Sequence, residues 1–464
     1  MISVRRRGAA RLAAAVLASG LVAAGAIVTA GTAAADDAPP SQGGATATLG
    51  GLKTFDKAII HDNGKDQQVG AGLFEMSVDN GGSIQTYCID LHNPTQSKAK
   101  YEEKSWGETS LANNPNAGKI NWVLQNSYPQ VNDLGALAKT AGTGPLTEKT
   151  AAAGTQVAIW RFSDNAKVDA ADPQAEKLAD YLEKSAQNLQ EPKASLSLDP
   201  PAVSGKAGER LGPVKVHTNA DSVTLTPGAG SAGGVKLVDK SGKTITSAAD
   251  GGEVYFDVPE GAADGSATLT AQAATKVPVG RAFASATKSQ TQILAGSSES
   301  TVSATATANW AKKGAIPAVS AEKDCAKGGV DITASNKGDE AFTFELLGQK
   351  YTVEAGQSKT VTAPVKEDQS YKFTISGPNG FEKTFSGVLD CKTSSSGGSS
   401  DTPSSQPSPA SAGGSTGGDT SGGDLAETGS SSNTPMIAGI AVALVVVGGG
   451  AIFFVRKKKA TVGE

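Results

Sequence analysis

The order of apolar and polar positions changes character twice along the chain, and each change marks a different kind of module. Over about 45–193, β-prone segments come first, at 53–60, 69–78 and 83–91, and helical spacing follows. Ile120, Val123 and Leu124 share one face of a helix that Pro129 ends a turn later. After the break at 142–145, Thr147 is placed to cap a helix reaching about Phe162. Asp172 as cap and Pro173 at the first position start another, with Leu178, Tyr181, Leu182 and Leu189 inward. Strands first and helices later predict an α+β module over 36–193. From Ala194 short alternating runs take over, at 214–216, 223–225, 235–237, 254–256, 268–270 and 301–310, divided by Gly, Asp, Ser and Pro clusters. That texture predicts an all-β, immunoglobulin-like sandwich over 194–314. A second is expected over 315–392, from runs at 330–332, 341–347, 351–353, 359–361 and 371–375.

Both ends depart from this pattern. Arg5, Arg6, Arg7 and Arg11 precede an Ala/Val/Leu-rich run at 12–30, and Ala33, Ala34 and Ala35 offer a small-residue cleavage site before Asp36. This predicts a signal peptide over 1–35 and export by the general secretory route. Residues 393–424 are almost wholly Ser, Gly, Thr, Pro and Asp, cannot bury a core, and are expected to form a disordered stalk. An apolar run at 435–455 has the length of a transmembrane helix, and Arg456, Lys457, Lys458 and Lys459 would hold its end on the cytoplasmic side. The predicted fold class is therefore multidomain: an α+β module, two all-β sandwiches, the stalk and a C-terminal transmembrane helix.

The 464 residues suffice for two to four domains, and a formal net charge of −4 gives no reason to expect nucleic acid as a partner. The cysteines say more. Three in an exported chain leave one unpaired. Cys325 and Cys391 bracket the last β module and are the natural disulfide, closing a loop whose restraint stabilises by about 4 kcal/mol in the chain-entropy model. Cys88 remains.

Gln156 is the residue that Cys88 needs. Ala152, Ala153, Ile159 and Trp160 lie three or four positions from it, so on a helix the glutamine falls in the apolar stripe. Burying a primary amide without partners costs about 1–3 kcal/mol, so the position requires a satisfied hydrogen-bond set or a chemical reason. Alternation in 84–91 puts Cys88 and Asp90 on one strand face and Tyr87, Ile89 and Leu91 on the other. A Cys88 thiolate pressed against the Gln156 carbonyl would expel ammonia and leave a thioester. Gly154, two residues before the glutamine, costs roughly 1 kcal/mol in a helix interior, which close approach of another backbone or a substrate would explain.

Tyr87-Cys88-Ile89-Asp90 followed by Thr155-Gln156-Val157-Ala158-Ile159-Trp160 resembles the thioester (TQxA) domains of Gram-positive surface proteins, over roughly 45–193. The resemblance makes Cys88 and Gln156 the thioester partners and gives Thr155, Ala158 and Trp160 a positioning role. It implies that the bond acylates a lysine amine of a host or neighbouring-cell protein, once per molecule, so the protein is not expected to be an enzyme and needs no cofactor or metal. Leu425-Ala426-Glu427-Thr428-Gly429, with the apolar run and basic tail behind it, resembles a sortase sorting signal of the class E type. That implies cleavage between Thr428 and Gly429, transfer of Thr428 to peptidoglycan, and a membrane-bound precursor. The module boundaries expected are 1–35, 36–193, 194–314, 315–392, 393–424 and 425–464.

Blander readings stand beside these. Cys88 can serve as a small buried hydrophobe, Trp160 as core packing rather than a shield over the thioester, and Asp90 and His92 as ordinary polar positions rather than proton carriers. A non-covalent wall-anchored structural or coat protein is the main alternative function. A cysteine hydrolase using Cys88 with His92 is a third, against which the lack of a supporting Cys/His motif counts.

Overall fold

Strands β1 (Thr46–Asp62) and β2 (Lys65–Val78) form a long antiparallel hairpin on which the first module is built. The computed structural model describes residues 43–393 other than 63 and 229–233. The expected signal peptide, the expected stalk beyond Thr393, Leu425 to Gly429 and the apolar run at 435–455 lie outside the described residues. No helix among those described is long and apolar enough to cross a membrane. Strand β3 (Ser83–Cys88) pairs with β2, and β4 (Lys100–Lys104) with the start of β1. Helices α1 (Ala117–Asn126), α2 (Leu134–Ala141) and α3 (Glu148–Ser163), strand β5 (Val168–Ala170) and helix α4 (Pro173–Ser185) follow.

Local signals account for the ends of these helices. Thr147 accepts the Thr150 amide at 3.2 Å to start α3, and Asp172 accepts the Gln174 and Ala175 amides at 2.8 and 3.0 Å to start α4. Helix α3 lies between α4 and strands β1 and β2 and is buried on every side from Ala151 to Trp160. Its glycine is steric: a Cβ on Gly154 would stand 2.5 Å from the Ala175 carbonyl oxygen. Helix α4 buries Ala175, Leu178, Ala179 and Leu182. Leu189, expected on the same face, lies past the end of α4 and donates its amide to the Gly118 carbonyl.

The following strands are β6 (Leu196–Asp199), β7 (Ala202–Lys206), β8 (Arg210–Thr218), β9 (Val223–Pro227), β10 (Lys236–Val238), β11 (Ser247–Ala248), β12 (Glu253–Asp257) and β13 (Gly265–Lys276). After them come β14 (Ala282–Ser285), β15 (Gln292–Ser297) and β16 (Glu299–Ala311). Two sheets, in the orders β10-β12-β8-β6 and β11-β9-β13-β16-β7, face one another across a core fed by the alternating Val302, Ala304, Ala306, Ala308 and Trp310.

Strands β14 and β15 belong elsewhere. They pair with β4 and β3 and complete the order β2-β3-β15-β14-β4-β1, which closes on itself through β1 and β2, with β5 added along β1. The expected boundary at 193/194 is therefore corrected: the segment 194–314 is not self-contained, because its hairpin supplies the two strands that the first module lacks. A buried ion pair fixes the insertion. Arg281 donates to Glu103 at 2.9 Å, and Glu103 also accepts the amides of Ala45 and Ser195. The two segments accordingly share one continuous core.

Residues 317–388 have a separate core around Val330, Ile332, Phe344 and Ile375. Strands Pro317–Asp324, Gly329–Asn336 and Ser358–Pro364 make a three-stranded sheet, and two hairpins complete the module. A disulfide joins Cys325 to Cys391 across 66 positions.

Candidate functional site

Cys88 is the last residue of β3 and lies opposite Gln292 of β15, so the inserted hairpin forms one wall of its surroundings. The chain then leaves the strand but stays tied to that hairpin. The Ile89 amide donates to the Thr291 carbonyl at 3.1 Å, and the Gln290 side chain to the Asp90 carbonyl at 2.8 Å. Helix α3 supplies the opposite wall.

Gln156 reaches from that helix to the backbone of Cys88. Its Oε1 accepts the Cys88 amide at 2.9 Å and its Nε2 donates to the Cys88 carbonyl at 2.8 Å. Both residues are fully buried. Thr155 anchors the helix by donating to Ala151 O at 2.7 Å and sharing a 2.7 Å hydrogen bond with Ser127. Ala158 is buried without polar contacts of its side chain, and Trp160 is buried one turn beyond Gln156. The structure thus brings Cys88, Thr155, Gln156, Ala158 and Trp160 into one interior region. His92 is exposed.

The electrostatics oppose charge on the cysteine. Burial pushes the Cys88 thiol well up from its ordinary value, and the charges of Asp164 and Asp90 push the same way. Trp160 and the Asp90 amide act in the other direction, the amide donating to Sγ at 3.2 Å. Asp90 is itself buried and lifted to about 8, by desolvation first and then by the nearby charge of Asp390. Its Oδ2 accepts from Asn93, while its Oδ1 has no hydrogen-bond partner.

Sequence reasoning missed Asp164. This residue ends α3 and accepts the Leu91 amide at 2.9 Å through Oδ1 and the Ser163 hydroxyl at 2.6 Å through Oδ2. It therefore ties the Gln156 helix to the loop after Cys88, and burial lifts its pKa to about 7. Its position at the helix C-terminus is the one sequence signal that could have drawn notice, since a carboxylate there faces the negative end of the helix dipole. Half-buried, it also lines an open groove of about 440 Å³ with Ser110, Asn114, Phe162 and Lys392.

A carboxylate group at Glu367, Asp368 and Asp390 has metal-ligand spacing, but its members are engaged. Glu367 accepts the amides of Cys391 and Lys392, Asp368 pairs with Lys288, and Asp390 accepts from Thr291.

Two parts of the chain resemble known families. Residues 85–188 match the family model of the Thioester domain, and residues 317–388 that of the Bacterial phospholipase C, C-terminal domain. Among solved structures, the Bacillus anthracis TIE protein matches at 15% identity over 75% of this chain and 81% of that one, with a TM-score of 0.28. The thioester domain of the Enterococcus faecium TIE86 protein matches at 16% identity over 58% and 97%, with a TM-score of 0.26. At these scores neither structure carries an argument about geometry. No match was found among curated proteins. The segment 85–188, which holds Cys88, Thr155, Gln156, Ala158 and Trp160 together, is the part of the chain that the thioester domain family model matches.

Proposed function

We propose that this is a wall-anchored surface protein whose Cys88–Gln156 thioester acylates an amine of a partner protein, attaching the two covalently. The observation that carries the reading is the paired hydrogen bonding of the Gln156 amide to the Cys88 backbone, which holds the acyl carbon beside the one free cysteine. Formation needs Sγ to attack the Gln156 Cδ. As charge gathers on Oε1, the Cys88 N–H already donating to it serves as an oxyanion donor. The C–N bond breaks, and the thiol proton departs with Nε2 as ammonia.

An incoming lysine amine then attacks the same carbon. The new C–N bond forms, the C–S bond breaks, and the sulfur takes the electron pair and the proton lost by the amine. Each molecule reacts once, so the protein is not an enzyme in the ordinary sense. The order of leader, β modules, stalk, Leu425-Ala426-Glu427-Thr428-Gly429, apolar run and basic tail supports export, sorting by a class E type sortase and attachment to peptidoglycan. The β14–β15 hairpin of the following segment belongs to the reactive domain itself, and the separate core of 317–388 lies between that domain and the C-terminal stalk in the chain.

A second reading is favoured by the same hydrogen bonds. Both polar atoms of the Gln156 amide are satisfied, so Gln156 also suits a structural residue in a non-covalent coat protein. Incubation with lysine-rich surface proteins separates the two. The covalent reading expects adducts that survive denaturation with wild type and none with Cys88→Ala. Equal, denaturant-sensitive capture by both would establish the coat-protein reading instead.

A further inference from the structure

We infer that the indole N–H of Trp160, together with the Asp90 amide, is a donor pair for charge on the Cys88 sulfur, so that Trp160 takes part in the chemistry as well as in packing. The inference rests on the thioester reading above.

Two observations lead to it. Trp160 Nε1 is buried and has no hydrogen-bond partner of acceptable geometry, in a protein where nearly every other buried side-chain donor among the described residues is satisfied. Buried donors are rarely left unpaired, and a phenyl ring would fill a packing role without carrying that cost. The second is position. Trp160 follows Gln156 by four residues, so it lies on the helix face that carries Gln156 to Cys88. Its interaction with the thiol favours the charged form of the sulfur. The Asp90 amide meets the same sulfur at 3.2 Å.

The chemistry requires such donors. Sulfur is the nucleophile when the thioester forms and the leaving group when an amine opens it, and in both steps it carries negative charge. Asp90 follows it in the chain, Asp164 stands at the end of α3, and Tyr101 on β4 is close enough to interact with it. None of these supplies a positive charge. A donor that is unsatisfied while the sulfur is neutral and satisfied when it is charged lowers the barrier for both steps without stabilising the ground state.

The test replaces Trp160 with benzothienylalanine, which keeps the shape of the ring and has sulfur in place of the N–H. The full-length chain is used, with Trp160→Phe as a second variant. Methylamine opening is followed by intact mass and by release of the Cys88 thiol, and folding by thermal melting. The wild-type mass is read first: full sequence mass there overturns the thioester reading and this inference with it. With the wild-type thioester present, opening about ten- to a hundredfold slower at an unchanged melting temperature is expected for loss of a hydrogen bond to a charged group. A folded variant that retains its ammonia supports the inference equally. Wild-type formation and opening rates in a folded variant would show Trp160 to be packing alone. Should both variants unfold, a ring-fluorinated tryptophan at position 160 keeps the shape and sharpens the donor. Faster opening is then expected, and an unchanged rate overturns the inference.

Discussion

Gln156 spends both atoms of its amide on the backbone of Cys88 rather than on its side chain, accepting from N at 2.9 Å and donating to O at 2.8 Å. The pairing is therefore indifferent to what residue 88 carries beyond its backbone. Cys88→Ala removes the thiol and leaves the architecture that positions the amide, which makes it a clean probe of the proposed chemistry.

The reverse substitution is structural. In a Cys88→Ala background, where no thioester exists, adding Gln156→Ala leaves the buried Cys88-position N–H and C=O unpaired. A further loss of about 1–3 kcal/mol is expected by denaturant melts. Equal stability of the single and double variants would show that the two hydrogen bonds do not hold the helix to β3.

Arg281→Met strips Glu103 of its cation in the interior, where the pair is 5% and 3% exposed. Breaking a buried pair from one side costs about 3–5 kcal/mol. Because Arg281 immediately precedes β14, hydrogen exchange is expected to show β14 and β15 opening first. A loss below about 1 kcal/mol would mean that the hairpin is held by its strand pairing alone.

Gly154→Ala gains about 1 kcal/mol of helix propensity but drives a methyl to 2.5 Å from the Ala175 carbonyl, a backbone atom of α4 that cannot swing aside. A net loss of about 1–2 kcal/mol is expected, visible as a lower melting temperature. A more stable variant would contradict the close approach of the two helices.

Protons link the site to stability. Asp90 is lifted from 3.8 to about 8 and Asp164 from 3.8 to about 7, burial being the first cause in each. The unfolded chain gives up both protons near 3.8, while the folded protein keeps them to the higher values. Between those limits the folded state binds more protons, so this contribution is greatest below about pH 4 and is lost as pH rises to about 8. Asp90→Asn is expected to flatten part of that decline in melts compared at about pH 5 and pH 8. An equal decline in variant and wild type would contradict a protonated, buried Asp90.

Local elements were more legible than the long-range architecture, for physical reasons. Helix starts are written locally, so Thr147 and the Asp172-Pro173 pair could be placed from the chain alone. Gln156 was reached through an apolar stripe, yet α3 is apolar all round because α4 and the sheet enclose it. Its burial is right for a reason that amphipathic spacing does not capture. The placement of β14 and β15 was not legible. Their partners lie about 200 positions away, with Gln292 opposite Cys88 and Phe283 opposite Glu103, and alternation says only that a segment is a strand, not which edge it will join. The pairing of Arg281 with Glu103 was hidden for the same reason. Asp164 escaped notice because its role depends on where the loop after Cys88 passes the end of α3.

The most direct measurement is the intact mass of residues 36–424 with and without methylamine, in wild type and in Cys88→Ala. The thioester account predicts a wild-type mass one ammonia below the sequence value, after allowing for the Cys325–Cys391 disulfide, and addition of methylamine at Gln156. Cys88→Ala is predicted to show the full mass and no adduct. A wild-type protein at full mass that ignores methylamine would contradict the account and leave a display protein in which Gln156 only ties α3 to β3.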